Sequence, residues 1–295
     1  MTGDVALEPV ARRPAARHPR AAFLEALPVV GAFVLVALFI ALPLASVIFE
    51  AFKDGAGAFA ATFADGYALS AIGLTLFVTA ITVVCNTAFG IIAAWTVTKY
   101  RFPGKALLVS LIDLPLTVSP VVAGLAILLA FGEHTPIGAW LSDHGIRVAF
   151  ALPGIVLATI FVTFPYVARE LIAFMQEHGR ELEESALLLG ANVWQTLWRV
   201  TLPAARWALL DGVLLCNARA MGEFGAVSVI SGRIRGQTMT IPLDVEALYD
   251  DGMLTNAFAL ALSLAVVTIA LSLVRSHLQR ERKRVEAEYV PDFQI

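Results

Sequence analysis

Four charged residues lie inside long apolar segments of this chain, where a charge needs a reason to be present. They are Asp113, Asp211, Arg219 and Glu223. A charge at the centre of a bilayer costs roughly 2.5 to 3.5 kcal/mol on insertion scales, so each side chain should face protein or water. Charges placed in this way either hold helices together or guide an ion.

Arg219 and Glu223 are four residues apart, which puts them on one face of a predicted helix where they can neutralise each other. The pair could hold that helix against its neighbours, or Arg219 could lend positive potential to a passing anion. Asp211 is expected near the cytoplasmic end of the same helix, at the membrane interface. Asp113 would repel an anion if it lined a pore.

Two prolines enclose a short polar stretch close to Asp113. The stretch contains Pro115, Thr117, Ser119 and Pro120. Proline removes a backbone donor and interrupts a helix, and amides at a broken helix bind anions well. The stretch therefore predicts either an anion pathway or ordinary kinking. Gly222 and Gly225 should allow close packing near the predicted fifth span.

The sequence lacks the residue patterns that ATP hydrolysis, metal binding or enzymatic catalysis would need. The Gly104-Lys105 pair is followed by Ala106 and lacks the upstream glycine of a phosphate-binding loop, so we expect no ATP hydrolysis by this chain. The two cysteines lie in apolar stretches and are predicted to be buried thiols. We expect no catalytic residue, no metal site and no bound cofactor.

The composition indicates that lipid is the main solvent. The chain has 295 residues, of which 58% are hydrophobic and 15% charged, and its mean hydropathy is +0.77. A soluble domain typically carries about 25% charged residues. The net charge of −3 argues against a nucleic-acid partner, which needs an extended basic surface.

Gaps between charged residues predict an all-helical membrane protein with six spans. A helix needs about 20 apolar residues to cross a bilayer. The predicted spans cover residues 26–49, 69–98, 106–131, 150–175, 207–231 and 252–274.

Basic residues predict the orientation of these spans, because Lys and Arg are retained on the cytoplasmic side. Sixteen of them fall in the tails and loops of one side and four on the other, which places both termini in the cytoplasm. We predict a cytoplasmic tail over residues 1–25, a membrane domain over 26–275 and a second cytoplasmic tail over 276–295. The first helix is expected to remain uncleaved, because its apolar stretch is too long for a signal peptide.

A cytoplasmic segment between the fourth and fifth spans, residues 176–206, is long enough to have a function. The sequence of this segment predicts an acidic helix that begins at Glu181 and ends at Gly190. A second helix is predicted to follow and to stop before Pro203. Trp194, Leu197 and Trp198 are expected on one side of the second helix. This hairpin could rest its tryptophans among lipid headgroups or fit a groove on a partner protein.

The spacing of residues in this segment resembles the EAA motif of binding-protein-dependent ABC importer permeases. Ser185 replaces the usual second alanine of the motif, and Val200 replaces isoleucine. The matching positions are Glu184, Ser185, Ala186, Gly190, Val200, Leu202 and Pro203. The resemblance implies a type I importer permease fold, also called MetI-like, in which these residues couple the membrane domain to a separate ATPase.

Two further stretches, residues 114–125 and 218–243, are similar to the sulfate and thiosulfate permeases of the CysW type. That resemblance implies a multi-pass subunit of the inner membrane that works with a CysT-type sister permease. It also implies two copies of a CysA-type ATPase, which use the ATP, and a periplasmic or extracellular sulfate- or thiosulfate-binding protein. Pro115, Thr117, Ser119, Pro120, Arg219 and Glu223 are then expected along the translocation pathway.

Two alternatives stay open at this point. The molybdate permease shares the Gly-Glu-Phe-Gly-Ala element found here at residues 222–226, so the anion could be molybdate or another oxyanion. The chain could also be a secondary carrier that is driven by an ion gradient and acts alone.

Overall fold

The computed structural model describes residues 19–289, and the side chains of residues 28–281. Within that part of the chain all regular elements are helical, as predicted. The first are α1 (Pro19–Val36), a π-helical turn (Ala37–Ala41), α2 (Leu42–Phe52), α3 (Ala56–Thr62), α4 (Gly66–Lys99), α5 (Lys105–Thr117), α6 (Pro120–Phe131), α7 (Pro136–Asp143) and α8 (Leu152–Glu177). They are followed by α9 (Glu181–Leu188), α10 (Val193–Thr196), a second π-helical turn (Leu197–Thr201), α11 (Leu202–Ala204), α12 (Arg206–Met221), α13 (Gly225–Ile230), α14 (Ile241–Asp250) and α15 (Leu254–Tyr289).

The chain divides into two compact units, residues 1–49 and 50–295. In the first unit, α1 begins at Pro19, inside the predicted tail, and residues 1–18 of that tail lie outside the described residues. In the second unit, α15 continues past residue 275 to Tyr289, and residues 290–295 lie outside the described residues. Helix α15 has 36 residues and is therefore about 54 Å long.

Four helical stretches are long and apolar enough to cross a membrane. They are Pro28–Phe52, Gly66–Lys99, Leu152–Glu177 and Leu254–Glu281, and they correspond to the first, second, fourth and sixth predicted spans. The predicted third span is a pair of helices, α5 and α6, whose axes are bent by 112°. The all-helical fold is confirmed, and the count of six spans is approximate.

The fifth predicted span differs most from its prediction. Helix α12 has 16 residues and ends at Met221, and the six-residue α13 begins only at Gly225. The Glu223 carboxylate lies in the gap, where its Oε1 accepts a hydrogen bond of 2.9 Å from the Ala226 N–H. A side chain that bonds the backbone in this way competes with the continuous helix that the sequence predicts.

Small residues allow α4, α8 and α12 to pack closely in the second unit. A Cβ at Gly90 would lie 2.9 Å from Val167 Cβ, and a Cβ at Gly212 would lie 3.0 Å from Val167 Cα. Asn86 on α4 adds a polar link, because its Nδ2 donates to Thr163 Oγ1 at 2.8 Å. Small residues and interhelical hydrogen bonds are what hold helices together in lipid. These three helices therefore form the frame on which the functional segments are mounted.

Helix α14 lies outside the membrane-spanning helices and packs against α4 and α15. Its N-terminus is fixed by the Ile241 N–H, which donates to Thr75 Oγ1 at 2.9 Å. Asp244 in the first turn is buried, with its Oδ1 3.6 Å from Arg235 Nε. Burial raises the pKa of the Asp244 carboxyl above its usual value, Arg235 opposes that rise, and Asp65 adds to it.

Candidate functional site

The predicted acidic helix is present as α9, and its first turn carries Glu181, Glu183 and Glu184. Acidic side chains stabilise this end of a helix through the helix dipole. Gly190 follows the helix with a φ of +88°, a conformation that L side chains rarely adopt. The Gly190 N–H donates to Leu187 O and the Ala191 N–H to Ala186 O, both at 3.0 Å, which is the Schellman arrangement of a helix end. The prediction of a helix closed by a glycine turn is confirmed.

The second helix of the segment does not stop where the sequence predicted. Asn192 opens it with a capping box, accepting from the Gln195 N–H at 2.8 Å. Helical structure then continues from α10 through the π-helical turn into α11, so Pro203 lies within the helical run rather than beyond it. The wider π-helical turn accommodates the prolyl ring, which would clash with the carbonyl of the preceding turn in a regular helix.

Apolar side chains project from the tip of the α9 hairpin. The exposed set consists of Leu182, Leu187, Leu188, Leu189, Val193, Trp194 and Trp198. Leu188 and Leu189 at the turn are each 89% exposed. The prediction that Leu197 shares a side with the two tryptophans is wrong, because Leu197 is buried toward the body of the protein. We refer to the exposed set as the apolar tip.

The seven motif residues divide between the tip and its base. Glu184, Ser185, Gly190 and Pro203 are exposed, Ala186 and Val200 are half-buried, and Leu202 is buried. The Ser185 hydroxyl donates to Glu181 O at 2.8 Å, within α9 itself. The motif thus forms one continuous hairpin that is anchored through its apolar second half.

An acidic residue outside the motif, Glu183, ties the hairpin to the membrane domain. Its Oε2 lies 2.6 Å from Lys99 Nζ at the end of α4, and its Oε1 accepts from Thr201 Oγ1 at 2.7 Å. The Lys99 and Glu183 side chains are 10% and 13% exposed. Arg180 strengthens the joint by donating from Nη2 to Thr98 O at 2.7 Å. Sequence reasoning missed Glu183, because no local signal pairs it with a lysine 84 residues earlier.

The proline-rich stretch forms the break between α5 and α6. Pro115 is buried within α5, and the Thr117 hydroxyl donates back to Leu114 O at 2.9 Å. Ser119 is exposed and is the N-cap residue of α6, but its hydroxyl makes no capping hydrogen bond. Pro120 occupies the first position of that helix. The predicted interruption is therefore confirmed as a sharp bend.

Close packing joins this break to the break between α12 and α13. A Cβ at Gly225 would lie 2.9 Å from Pro120 Cβ, and a Cβ at Gly124 would lie 2.5 Å from Ala226 O. The packing role predicted for Gly222 is wrong, because the nearest atom to a Cβ there, Ala218 O at 3.8 Å, belongs to the preceding helical turn.

Arg219 and Glu223 form the predicted ion pair, with Arg219 Nη1 2.7 Å from Glu223 Oε2. The pair does not lie on one helix face, because Glu223 falls after the end of α12. The Glu223 side chain is 1% exposed and the Arg219 side chain 33% exposed, so the arginine is the partner that reaches the surface.

The two remaining membrane carboxylates are also paired. Asp211 accepts from Arg275 Nη2 at 3.0 Å and from Gln279 Nε2 at 2.9 Å, which links α12 to α15. Asp113 Oδ1 lies 3.1 Å from Arg169 Nε. Arg169 is one of the sixteen basic residues assigned to the cytoplasmic side, and it lies inside α8, within the predicted fourth span. Within the described part of the chain, no group of three or more His, Cys, Asp or Glu residues could hold a metal ion.

Comparisons with known proteins agree with this arrangement. A family model described as "Binding-protein-dependent transport system inner membrane component" matches residues 86–284. The chain is 47% identical over 264 residues to the sulfate transport system permease protein CysW of Escherichia coli (strain K12), covering 88% of this chain and 91% of that protein. It is also 36% identical over 203 residues to the sulfate transport system permease protein CysT of the same organism, covering 69% of this chain and 73% of that protein.

A solved structure shares the fold. It is a bacterial alginate ABC transporter in complex with an alginate pentasaccharide-bound periplasmic protein. The matched chain superposes with a TM-score of 0.73 at 20% sequence identity, covering 89% of this chain and 96% of that chain.

Proposed function

We propose, from the premise that this chain belongs to the family of binding-protein-dependent transport system inner membrane components, that it is a permease subunit of an ATP-driven sulfate importer. Sulfate is proposed because a relative named for sulfate transport is 47% identical over 88% of this chain. Thiosulfate is included because residues 114–125 and 218–243 resemble permeases for both sulfate and thiosulfate.

The apolar tip is the observation that carries the coupling part of the proposal. Leu188 and Leu189 are almost fully exposed at the end of an acidic helix. A projecting apolar surface bordered by charge is suited to a groove on another protein. The occupant that we propose is the partner ATPase, which binds and hydrolyses the ATP while this chain binds no cofactor. Glu184, Ser185, Ala186, Gly190, Val200, Leu202 and Pro203 shape this docking hairpin.

The hairpin acts as a lever on the membrane helices. When ATP closes the ATPase subunits, α9 moves with the surface that holds it. The Lys99–Glu183 ion pair and the Arg180–Thr98 hydrogen bond pass that movement to the end of α4. Because α4 is closely packed on α8 and α12, the three helices move as one body, in the manner of rigid-body switching between outward- and inward-facing states.

The pathway that we propose lies between this chain and a sister permease, here of the CysT type. The lining that we propose comprises Pro115, Thr117, Ser119, Pro120, Arg219 and Glu223. The support is that the two helix breaks carrying these residues meet where Gly225 packs on Pro120. Arg219 remains partly exposed there and could attract an anion.

The excess of basic residues on one side supports an orientation with both termini and the apolar tip in the cytoplasm. A binding protein for sulfate or thiosulfate would then deliver the anion to the opposite face, where α14 lies. The chain is accordingly assigned to the inner membrane as a multi-pass subunit.

Purification and transport test the proposal together. The tagged chain should copurify with a sister permease and an ATPase, and proteoliposomes holding that complex should take up radiolabelled sulfate only with ATP and the binding protein. An excess of unlabelled sulfate or thiosulfate should compete, and molybdate should not. Uptake of labelled molybdate in place of labelled sulfate would move the substrate to that oxyanion. Uphill transport by the isolated chain on an ion gradient would replace the proposal with a secondary carrier.

A further inference from the structure

A cleft between α5, α8 and α12 exposes charged side chains within membrane-spanning structure. Its lining includes Leu116, Tyr166, Arg169, Glu170 and Leu215. The Arg169 side chain is 58% exposed and that of Asp113, its partner on α5, is 33% exposed. Charged side chains in this setting face protein or water rather than lipid. The cleft must therefore be covered by a sister subunit or filled with water.

The two partners lie at the same depth. Arg169 is eight residues before the end of α8, and Asp113 is eight residues after the start of α5. At 1.5 Å per residue, each is about 12 Å along its helix from that end. Helix α8 has 26 residues and is about 39 Å long, compared with about 30 Å for a hydrocarbon core. A centred α8 places Arg169 several ångströms inside the membrane.

Two other arginines in the membrane-embedded part of the chain, Arg219 and Arg275, are bound to partners that are harder to replace. Arg219 pairs with a carboxylate that is 1% exposed and that also bonds the Ala226 amide, so releasing it would leave a buried charge. Arg275 bonds Asp211 and lies 3.9 Å from Glu170, and so it joins three helices. Arg169 instead pairs with Asp113, a half-buried carboxylate, beside an open cleft. It is the arginine on this face that can exchange its partner at the smallest cost.

Helix α8 also connects Arg169 to the lever. Glu177 ends α8, and α9 begins only four residues later at Glu181. Asp113 is carried by α5, whose buried Ile112 packs with Val97 of α4 and Ala168 of α8. A movement of α9 that displaces α8 therefore moves the Arg169–Asp113 pair with it.

We propose that Arg169 is an anion-binding residue in the inner half of the translocation pathway, and that Asp113 neutralises it until the anion arrives. This inference rests on the proposed function and names the side chain that would hold a tetrahedral dianion. A dianion attracts the guanidinium more strongly than the single negative charge of Asp113, so it can displace the carboxylate. When the dianion leaves, Asp113 pairs with Arg169 again and prevents the anion from being trapped.

Neutralising both partners separates transport from assembly. The double variant Arg169→Gln/Asp113→Asn leaves no unpaired charge, so the complex should assemble, yet its maximal rate of radiolabelled sulfate uptake should fall at least tenfold. Arg169→Lys retains the charge and should keep at least a third of the rate. Lys53 and Glu50, an ion pair of 3.3 Å with comparable exposure, supply the matched control outside the cleft. Glu50→Gln/Lys53→Gln should transport within twofold of the unchanged complex.

Uptake at the unchanged rate by the Arg169→Gln/Asp113→Asn complex would overturn the inference. An equal loss in the Glu50→Gln/Lys53→Gln control would also overturn it, because the effect would not be specific to the cleft. Absence of sulfate uptake by the unchanged complex would instead be a failure of the proposed function.

Chemical accessibility gives a readout that a purely structural ion pair would not change. In the assembled complex with Cys85→Ser, which removes the half-buried thiol, Leu116→Cys in the same cleft should react with a membrane-impermeant, negatively charged thiosulfonate added from the cytoplasmic side. Sulfate should slow this reaction while Arg169 is present, and should not slow it in the Arg169→Gln/Asp113→Asn background. No reaction, or a rate that sulfate leaves unchanged, would show that the position does not face an anion-accessible pathway and would refute the inference.

Discussion

Lys99 Nζ lies 2.6 Å from Glu183 Oε2, and this ion pair joins the end of a 34-residue helix to the projecting helix α9. The second carboxylate oxygen of Glu183 accepts from the Thr201 hydroxyl at the base of the hairpin. One side chain thus joins α9 both to the distant end of α4 and to the second half of its own hairpin. The lever and the membrane helix are connected through a bonded and largely buried contact rather than through the chain alone.

Loss of the Glu183 charge should weaken this transmission. Glu183→Gln removes one ion pair that is mostly buried, which is worth about 1.5 to 3 kcal/mol. We expect ATP-driven sulfate uptake to fall roughly tenfold while the ATPase still copurifies, because the apolar tip is unchanged. The measurement is uptake in proteoliposomes alongside pull-down of the ATPase.

Exchanging the two charges provides the control for Glu183. Lys99→Glu/Glu183→Lys restores an ion pair at the same place, and we expect it to recover part of the uptake lost in Glu183→Gln. Full uptake by Glu183→Gln would contradict a mechanical role for this contact.

Gly190 should be required for its backbone conformation rather than for space. No atom lies within 4 Å of a Cβ built there, but its φ of +88° costs an L residue roughly 1 to 2 kcal/mol. Gly190→Val should therefore distort the turn and reduce copurification of the ATPase, with membrane insertion unaffected. Gly190→Asn is the matched variant, since asparagine tolerates this region, and it should retain most of the binding. Equal loss in both variants would indicate that a steric effect on the partner is responsible.

Gly124 should be required for space. A Cβ there would lie 2.5 Å from Ala226 O, a backbone atom that cannot turn aside. Gly124→Ala should cost about 1 to 3 kcal/mol of stability and lower the Tm of the purified protein. Gly222→Ala is the comparison, because a Cβ at that position meets nothing closer than 3.8 Å. A Tm for Gly124→Ala equal to that of Gly222→Ala would show that α6 and α13 do not pack as described.

Asp244 predicts a dependence of stability on pH. Burial raises the pKa of its carboxyl in the folded protein above the ordinary value of 3.8, so the folded state binds more protons than the unfolded state between these two values. The contribution of Asp244 to stability therefore falls as the pH rises through that window and stays at its lower level up to neutral pH. Asp244→Asn should raise the Tm at pH 7 relative to the unchanged protein.

The Tm difference between Asp244→Asn and the unchanged protein should narrow as the pH is lowered toward 4. Asp251→Asn is a suitable comparison, since Asp251 also bonds Arg235 but is exposed. A lower Tm for Asp244→Asn at pH 7 would mean that the attraction of Arg235 outweighs the penalty of burial.

Local patterns in the sequence predicted the elements that local forces determine. The acidic helix before Gly190 and the break at Pro115 and Pro120 depend on side chains within a few residues of one another, and both are present. Four of the predicted spans follow from apolar length alone. The prediction that the second helix of the hairpin stops before Pro203 was wrong. A π-helical turn makes room for the prolyl ring, and no residue pattern in the sequence indicates such a turn.

Contacts between distant segments were beyond the reach of sequence reasoning. Glu183 looked like one acid among several until the fold placed it against Lys99. The pairing of Arg169 with Asp113 could not be predicted, because it requires two helices, α5 and α8, to approach each other. The fifth predicted span was interrupted for a related reason, since the Glu223 carboxylate bonds an amide that a continuous helix would have used.

Helix α15 has a practical consequence for experiments. It runs without interruption from Leu254 to Tyr289, a length well beyond that of a bilayer, and Arg275 and Gln279 fasten it to α12 through Asp211. A fluorophore attached rigidly near Tyr289 would turn with α12 instead of tumbling freely. Polarised emission from such a label would follow the transport cycle in single molecules without any change near the substrate.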